Sequence, residues 1–233
     1  LAILGGAFIA LGRLSNLVVV GGMPTTYAEN PGLIKFIYGA IFPVGLIMVS
    51  LAEADLFTSD CSVITISYMG KNTNIKNLIK ILVLSYVFNF IGTQFIAYIM
   101  TFKTNLLASN PWQSYLYSYA NSKVKQDFCV VLIKSIGTNW LVCLRTWMGY
   151  SSRNISGKVP GIWFSVMLFV VLGYEHSIAN MFFILTSIYH CADITWLQFI
   201  IKNLIQSTIG NIIGGIWLVK MIYNYIYSLK IEK

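Results

Sequence analysis

Long apolar runs separated by short polar stretches dominate the chain and predict membrane-spanning helices. Each run is roughly 20 residues or longer and nearly free of charge, which is the length that crosses ~30 Å of hydrocarbon. Six spans are predicted, near residues 1-21, 33-70, 78-102, 127-150, 160-189 and 196-227. The pattern therefore predicts an all-α membrane protein with six transmembrane helices.

The second and fifth spans are too long, and too polar in the middle, to be single helices. The stretch AEADLFTSD at 52-60 interrupts the second span, and VLGYEHS at 171-177 interrupts the fifth. Non-helical backbone at membrane depth persists only where protein or a water cavity satisfies its N–H and C=O groups. We therefore expect both breaks to face the protein interior.

Breaks at matching places in two halves of a chain point to a mid-membrane site between inverted repeats. Spans one to three would form repeat one, about 1-102, and spans four to six repeat two, about 127-227. Because each half has an odd number of spans, the second half enters the membrane from the opposite side, and the breaks approach each other. Residues 1-233 are predicted to form a single transmembrane domain.

Composition supports lipid as the main solvent and excludes several functions. Hydrophobic residues make up 57% of the chain and charged residues only 10%, against about 25% charged residues in soluble domains. The net charge of +8 is spread singly between apolar runs, so it forms no stripe for nucleic acid. The four cysteines share no CxxC spacing, and we expect no redox motif, metal site or cofactor.

Lysine and arginine in short loops mark the cytoplasmic side of a membrane protein. The loops near 71-80 and 151-159 and the C-terminal end carry such residues, whereas the loops at 22-32 and 190-195 have none. This distribution predicts a multi-pass protein of the plasma membrane with both termini in the cytoplasm. By alternation the loop at 103-126 is external, although it carries three lysines.

The two breaks contain the residues that can carry chemistry. His176 is an ionisable group inside the membrane, which is a functional-site hypothesis by default; the alternative is a neutral imidazole that only satisfies broken backbone. Thr58 in the other break can donate to an anion and accept from a histidine. Glu175, Ser59 and Asp60 are interpreted as caps of the half-helices that follow the breaks, because unpaired N–H groups stabilise acidic and hydroxyl side chains.

Two half-helix N-termini that point at one place favour an anion there and repel a cation. Four apolar residues near the breaks are candidates for constrictions of the path, although each alone would ordinarily be packing: Phe42, Leu46, Leu56 and Phe169.

Four motifs in order along the chain resemble the formate/nitrite transporter family: ADLFTS at 54-59, NWLVCL at 139-144, EHSIANM at 175-181 and TIGNIIGG at 208-215. The resemblance implies a homopentamer in which every protomer has its own pore, an aquaporin-like fold and cytoplasmic termini. It also assigns roles by motif position. Thr58 and His176 would face the pore centre, with Phe42 and Phe169 at the outer constriction, Leu46 and Leu56 at the inner one, Asn139 and Asn211 as pore-side polar residues, and Lys123 as a vestibule lysine that attracts anions.

The chain departs from the family pattern at two positions that are normally small and neutral. Glu53 stands where the family has Gly, and Arg145 where it has Ala. An unpaired charge near the bilayer centre costs ~2.5 to 3.5 kcal/mol on insertion scales, so two opposite charges can compensate each other. We expect Glu53 and Arg145 to form an ion pair. Lys134 in the fourth span is interpreted as a lipid headgroup contact rather than a pore residue.

The function predicted from these residues is transport of small monovalent anions or their conjugate acids, with formate, nitrite, acetate, lactate and hydrosulfide all small enough. Protonating a carboxylate of pKa ~4 at pH 7 costs near 4 kcal/mol, whereas moving the bare ion through an apolar constriction costs tens by a Born estimate. We therefore expect proton-coupled crossing as the neutral acid. Two alternatives stay open, a passive anion channel of the same fold and an intramembrane enzyme that uses Glu175 and His176.

Overall fold

The computed structural model describes residues 1–218, and every regular element in that range is helical. This confirms the all-α prediction. The α-helices are α1 (Ala2–Gly21), α2 (Pro24–Glu29), α3 (Pro31–Ile41), α4 (Pro43–Leu51), α5 (Phe57–Met69), α6 (Ile75–Gln94), α7 (Trp112–Val124), α8 (Phe128–Ser151), α9 (Ile155–Val171), α10 (Ser177–Tyr189), α11 (Trp196–Phe199) and α12 (Ile205–Ile213). Wider π-helical turns continue three of them, at Phe95–Phe102, Ile200–Leu204 and Gly214–Leu218.

Four helices of the described range are long and apolar enough to cross a membrane: Ala2–Gly21, Pro31–Leu51, Ile75–Phe102 and Phe128–Ser151. α9 and α10 are apolar but shorter, as expected for the two halves of a broken span. The predicted sixth span is helical from Trp196 to Leu218, and its remainder, 219–227, lies outside the described residues. The count of six spans and the orientation of the termini stay predictions.

Both predicted breaks are present, and they have the same plan. α4 ends at Leu51 and α5 begins at Phe57, while α9 ends at Val171 and α10 begins at Ser177. Each break contains one residue in the left-handed region, Glu53 at φ 51° and Gly173 at φ 69°. In both, the residue before the second helix is extended. The chain therefore leaves the helical conformation twice, at equivalent places in the two halves.

One asparagine holds each break by its backbone. The Asn89 carboxamide oxygen accepts from the N–H of Phe57 at 2.9 Å, and its amide nitrogen donates to the carbonyl of Asp55 at 3.0 Å. The Asn211 oxygen accepts from the N–H of Ser177 at 2.9 Å, and its nitrogen donates to the carbonyl of Glu175 at 3.2 Å. Breaks that would otherwise carry unpaired groups in lipid are thus satisfied from inside the protein.

Asn89 and Asn211, which we call the clamps, each make a third hydrogen bond of the same kind. The Asn89 amide also reaches the carbonyl of Ala2 at 2.7 Å, and the Asn211 amide that of Ser135 at 2.8 Å. Backbone groups occupy the oxygen and nitrogen of the Asn211 carboxamide, and its predicted pore-side role stays a prediction. The sequence did not single out Asn89, whose only signal is an amide side chain inside an apolar span, 32 residues after Phe57 of its break.

Close helix packing brings each clamp to its break. α1 lies against α6 so tightly that a Cβ on Gly6 would be 2.0 Å from the carbonyl oxygen of Asn89. α12 lies against α8, and a Cβ on Gly214, which directly follows α12, would be 2.3 Å from the carbonyl oxygen of Ile136. Small residues that allow backbones to approach are the usual solution where lipid offers no hydrophobic drive between helices.

Replacing either clamp should destabilise the fold. Asn89→Ala and Asn211→Ala each strand a backbone N–H and at least one carbonyl in a buried place, and each stranded group costs about 1 to 3 kcal/mol. We expect each variant to lose about 2 to 5 kcal/mol of unfolding free energy in denaturing detergent. Asn77→Ala on the exposed side of α6 is the control and should unfold like the parent protein. If the clamp variants match that control, the breaks are held by other means.

Candidate functional site

The two breaks bring Thr58 and His176 together at the centre of the protein. Both side chains are fully buried, and the Thr58 Oγ1 lies 3.1 Å from Nε2 of His176. Thr58 is the second residue of α5, and His176 is the residue before α10. Two half-helix N-termini therefore meet at this pair, and both present positive partial charge to it.

The second ring nitrogen of His176 fixes the state of the imidazole. Its Nδ1 accepts the N–H of Ala179 at 3.3 Å and so caps the first turn of α10. A nitrogen that accepts carries no proton, so the ring is neutral and holds its hydrogen on Nε2. Nε2 then donates to Oγ1 of Thr58, and the Thr58 hydroxyl hydrogen is left to donate elsewhere. His176, rather than Glu175, is thus the side-chain cap of α10.

Aromatic rings continue from this pair toward one side of the protein. The ring of Phe169 stacks on His176 with centroids 6.2 Å apart, and Phe42 meets Phe169 edge to face at 6.0 Å. The predicted constriction residues are all fully buried: Phe42, Phe169, Leu46 and Leu56. Their constriction roles stay predictions.

A cavity of about 380 Å³ lies beyond the rings, and we name it the Lys123 vestibule. Its lining combines phenols with charged groups: Lys35, Tyr38, Tyr115, Tyr119, Lys123, Lys134 and Glu175. Burial raises the pKa of the α7 phenols Tyr115 and Tyr119, so both are neutral at physiological pH. Lys134 donates to Gln126 at 2.6 Å. Its interpretation as a lipid headgroup contact stays a prediction.

Lys123 and Glu175 form a buried ion pair in this vestibule. The Lys123 ammonium donates to a Glu175 oxygen at 2.7 Å, and the two side chains are 8% and 0% exposed. Gln126 and Asn180 donate to the same carboxylate at 2.7 and 2.8 Å. The capping role predicted for the Glu175 side chain is wrong, because these three donors hold the carboxylate. The same pair balances the charge of Lys123, which weakens its predicted role in attracting anions.

A second cavity, of about 410 Å³, lies on the other side of the centre, and we name it the Arg145 vestibule. Arg145 is 3% exposed and donates to the hydroxyls of Ser50 and Ser59. Glu53 lines the same cavity but is exposed. The predicted ion pair between Glu53 and Arg145 is wrong within the described residues, because two serine hydroxyls reach the guanidinium while the turn directs Glu53 outward.

The capping roles predicted for Ser59 and Asp60 are also wrong. The residue before α5 is Leu56, and no side chain caps that helix. Ser59 accepts from Arg145, and Asp60 accepts from the Ser85 hydroxyl at 2.5 Å. Asp60 nevertheless lies in the first turn of α5, where the helix dipole favours a negative charge.

Asn139 lies beside the second clamp. Its amide nitrogen donates to the carbonyl of Asn211 at 2.6 Å, and its oxygen is buried with no partner among the described residues. The carboxamide oxygen is therefore available to a donor, and the predicted pore-side role of Asn139 stays a prediction.

Sequence reasoning missed Arg13. This arginine lies in the middle of α1, is 3% exposed, and places its guanidinium carbon 3.6 Å from the centre of the Phe42 ring. The signal was present, because a single cation inside an apolar span marks a functional candidate.

The chain is similar to known proteins over nearly its whole length. A profile described as formate/nitrite transporter matches residues 1–225. A probable formate transporter of Methanothermobacter thermautotrophicus is 39% identical over 97% of this chain and 87% of its own length. A formate channel of Bacillus thuringiensis is 34% identical over 98% of this chain and 86% of its own length.

Two solved structures have the same fold. An FNT family ion channel superimposes with a TM-score of 0.88 at 26% identity, covering 97% of this chain and 88% of that one. A pentameric formate channel with formate bound gives a TM-score of 0.84 at 29% identity, covering 97% and 94%. The likeness extends over nearly the whole chain, so both broken spans lie inside it.

A double-mutant cycle tests the ion pair of the Lys123 vestibule. Glu175→Gln leaves a buried ammonium without counter-charge, and Lys123→Met leaves a buried carboxylate, so each should cost about 3 to 5 kcal/mol of unfolding free energy. The double variant has no buried charge and should recover most of that loss. Unfolding in denaturing detergent measures all three. Lys125→Met, an exposed neighbour on the same helix end, is the control. Additive losses in the double variant would contradict the pairing.

Proposed function

Because this chain belongs to the formate/nitrite transporter family, we propose that it carries small monovalent anions or their conjugate acids across the bilayer through a path within one subunit. The observation that supports this proposal best is the buried contact of Thr58 with His176, at the meeting point of two half-helices and between two cavities. The intramembrane-enzyme alternative is set aside, since the relatives named above are transporters and channels.

The proposed path connects the two vestibules in four steps. An anion enters the Lys123 vestibule, passes between Phe42 and Phe169, meets Thr58 and His176, and leaves past Leu46 and Leu56 into the Arg145 vestibule. The distances that support this order are the ring contacts of 6.0 and 6.2 Å and the hydrogen bond of 3.1 Å. Leu56 also lines the Arg145 vestibule, directly before α5.

His176 acts in this proposal as a neutral partner rather than as the proton donor. Its Nδ1 is occupied by the backbone of Ala179, and its Nε2 hydrogen points at Thr58. Giving up that hydrogen would break the bond to Thr58, and gaining a second would place a proton against a backbone N–H. Thr58 is thereby oriented to donate its hydroxyl hydrogen to a passing oxygen.

The proton for a weak acid comes from water of the vestibule. Protonation of a carboxylate at pH 7 costs near 4 kcal/mol for a pKa of ~4, which is far less than desolvating the bare ion. Formate, nitrite and other small weak acids suit this route. We therefore propose proton-coupled transport as the main function, with the substrate crossing the rings as the neutral acid.

A passive anion channel is the second candidate, and one observation favours it. Two buried arginines flank the centre, Arg13 beside Phe42 and Arg145 beside Ser59. A cation on each side of a constriction lowers the cost of an anion between them. Conduction of charge without protons would show as single-channel current that does not depend on a pH gradient.

We also propose a homopentamer in which each subunit has its own path. One similar solved structure is described as pentameric. Many large apolar side chains on α6, such as Ile79, Val83 and Val87, are exposed in the isolated chain, and such a face suits lipid or a neighbouring subunit.

Formate uptake into liposomes tests the central pair. Thr58→Val keeps the shape and removes the hydroxyl, so flux should fall about tenfold, the equivalent of one hydrogen bond of ~1.4 kcal/mol. His176→Phe removes both ring nitrogens and should lower flux at least as much. Thr58→Ser retains the hydroxyl and should keep most of the flux.

The same assay separates the two candidates. Lowering the external pH from 7 to 6 raises the neutral acid about tenfold, so a proton-coupled transporter should import more formate while a passive channel should not. Thr104→Val, an exposed threonine after the third span, is the control. Undiminished and equally pH-dependent flux through His176→Phe would overturn the proposed role of the central pair.

A further inference from the structure

Arg13 is a buried cation without a partner in the described part of the chain. No ion pair or hydrogen bond to it is formed within residues 1–218, and its Nε and one terminal nitrogen are fully enclosed and unsatisfied. A guanidinium is always charged and has five donors. Leaving such a group unpaired in a membrane interior is costly, so the arrangement calls for an anion.

The guanidinium lies against the ring that the proposed path uses. Its carbon is 3.6 Å from the centroid of Phe42, 5.1 Å from that of Phe183 and 5.6 Å from that of Tyr38. At 3.6 Å the guanidinium lies over the Phe42 ring, a cation–π contact that uses none of its N–H donors in a hydrogen bond. Phe42 in turn contacts Phe169, and Phe169 stacks on His176. Arg13 is therefore two rings away from the central pair.

Further unsatisfied polar groups lie next to Arg13. Asn16 follows it by three residues on α1, which places the two side chains on one helix face. Asn16 is 0% exposed, and both its oxygen and its nitrogen lack a partner. The hydroxyl of Tyr38 has no partner at hydrogen-bond geometry either, although Tyr119 lies beside it with ring centroids 5.7 Å apart. Buried polar groups are normally satisfied, so such a cluster requires an explanation.

No described acid balances Arg13. The titratable side chains that face it are the phenols of Tyr38 from α3 and of Tyr115 and Tyr119 from α7, and the imidazole of His176 from the second break. All four are neutral near pH 7. The nearest carboxylate of the Lys123 vestibule, Glu175, is already held by three donors.

We propose that Arg13, assisted by Asn16, binds the substrate anion on the vestibule side of the Phe42–Phe169 pair and selects planar anions with two oxygens. This inference rests on the proposed function and names its substrate class. The fork of a guanidinium matches two oxygens at once, as in formate or nitrite. An anion with one acceptor atom, such as hydrosulfide or chloride, cannot give each arm of the fork its own acceptor in this parallel geometry.

Protonation would release the substrate from this place. A proton from vestibule water that adds to one carboxylate oxygen removes the negative charge and turns that oxygen into a donor. Arg13 has no acceptor, so the neutral acid loses one of its two bonds to the fork and can move on to Thr58. The same reasoning predicts that Arg13 favours the anion over the acid, and that transport needs a lower pH than it would without this charge.

The test compares Arg13→Lys, Arg13→Gln and Arg13→Met in purified protein and in liposomes. Lysine keeps the charge and loses the fork, so the KM for formate and nitrite should rise about tenfold or more while the KM for hydrosulfide stays within about twofold. Arg13→Met loses both features, and the pH at which formate flux rises should move up by about one unit. Arg13→Lys should leave that pH unchanged.

Binding without transport gives a second readout. Formate at pH 7 should raise the melting temperature of the purified wild-type protein, and this increase should shrink in Arg13→Lys and vanish in Arg13→Met. Lys125→Met, at an exposed lysine outside the lining of the vestibule, is the control and should retain the formate-dependent increase. Arg13→Gln is shorter and uncharged but keeps two N–H donors, which gives a second uncharged variant if Arg13→Met fails to assemble.

Three outcomes decide the inference. A higher KM for formate in Arg13→Lys, with the KM for hydrosulfide unchanged, supports the inference. The inference is overturned if all folded Arg13 variants keep the KM values, the pH profile and the formate-dependent melting of the wild-type protein. In that case the proposed function stands, because the wild-type protein still transports formate. Folded wild-type protein that neither binds nor transports any of these anions overturns the proposed function, and the inference with it.

Discussion

Backbone polar groups inside a membrane must find partners in the protein, and this requirement organises the molecule. Two spans stop being helical at mid-membrane, and each break exposes N–H and C=O groups that lipid cannot satisfy. Asn89 and Asn211 meet this need with the same three hydrogen bonds, each from the third span of its half. The breaks held in this way place the Thr58 hydroxyl 3.1 Å from Nε2 of His176.

The buried charges also need partners inside the protein, and they differ in the partners that they have. Lys123 has a carboxylate, and Arg145 has two hydroxyls. Arg13 has only the faces of aromatic rings among described residues. Ring faces attract a cation by about 0.5 to 2 kcal/mol but leave its N–H donors unsatisfied. Three buried cations therefore lie along the proposed path. Lys123 is neutralised by a carboxylate, Arg145 is hydrogen-bonded by hydroxyls, and Arg13 remains open to an anion.

Most of the fold could be predicted because its signal is local. An apolar run of sufficient length identifies a span wherever it occurs, and the charges of AEADLFTSD and YEHS identify the breaks without knowledge of any other residue. The wrong predictions share a different character. The ion pair of Glu53 with Arg145 rests on two departures from a family pattern, and the caps of Glu175, Ser59 and Asp60 rest on the nearest helix start in the sequence. The structure assigns their actual partners from other helices.

The sequence by itself determined a helical membrane protein with two interrupted spans and a threonine and a histidine at the interruptions, because hydropathy and helix breaking depend on short segments. Only the tertiary structure decided which polar groups meet: Glu175 with Lys123 across 52 residues, Asn89 with a break 32 residues away, and Arg13 with no acid among residues 1–218. Partner choice depends on distances between helices far apart in the chain. Differences of a few kcal/mol decide it, and no local pattern encodes them.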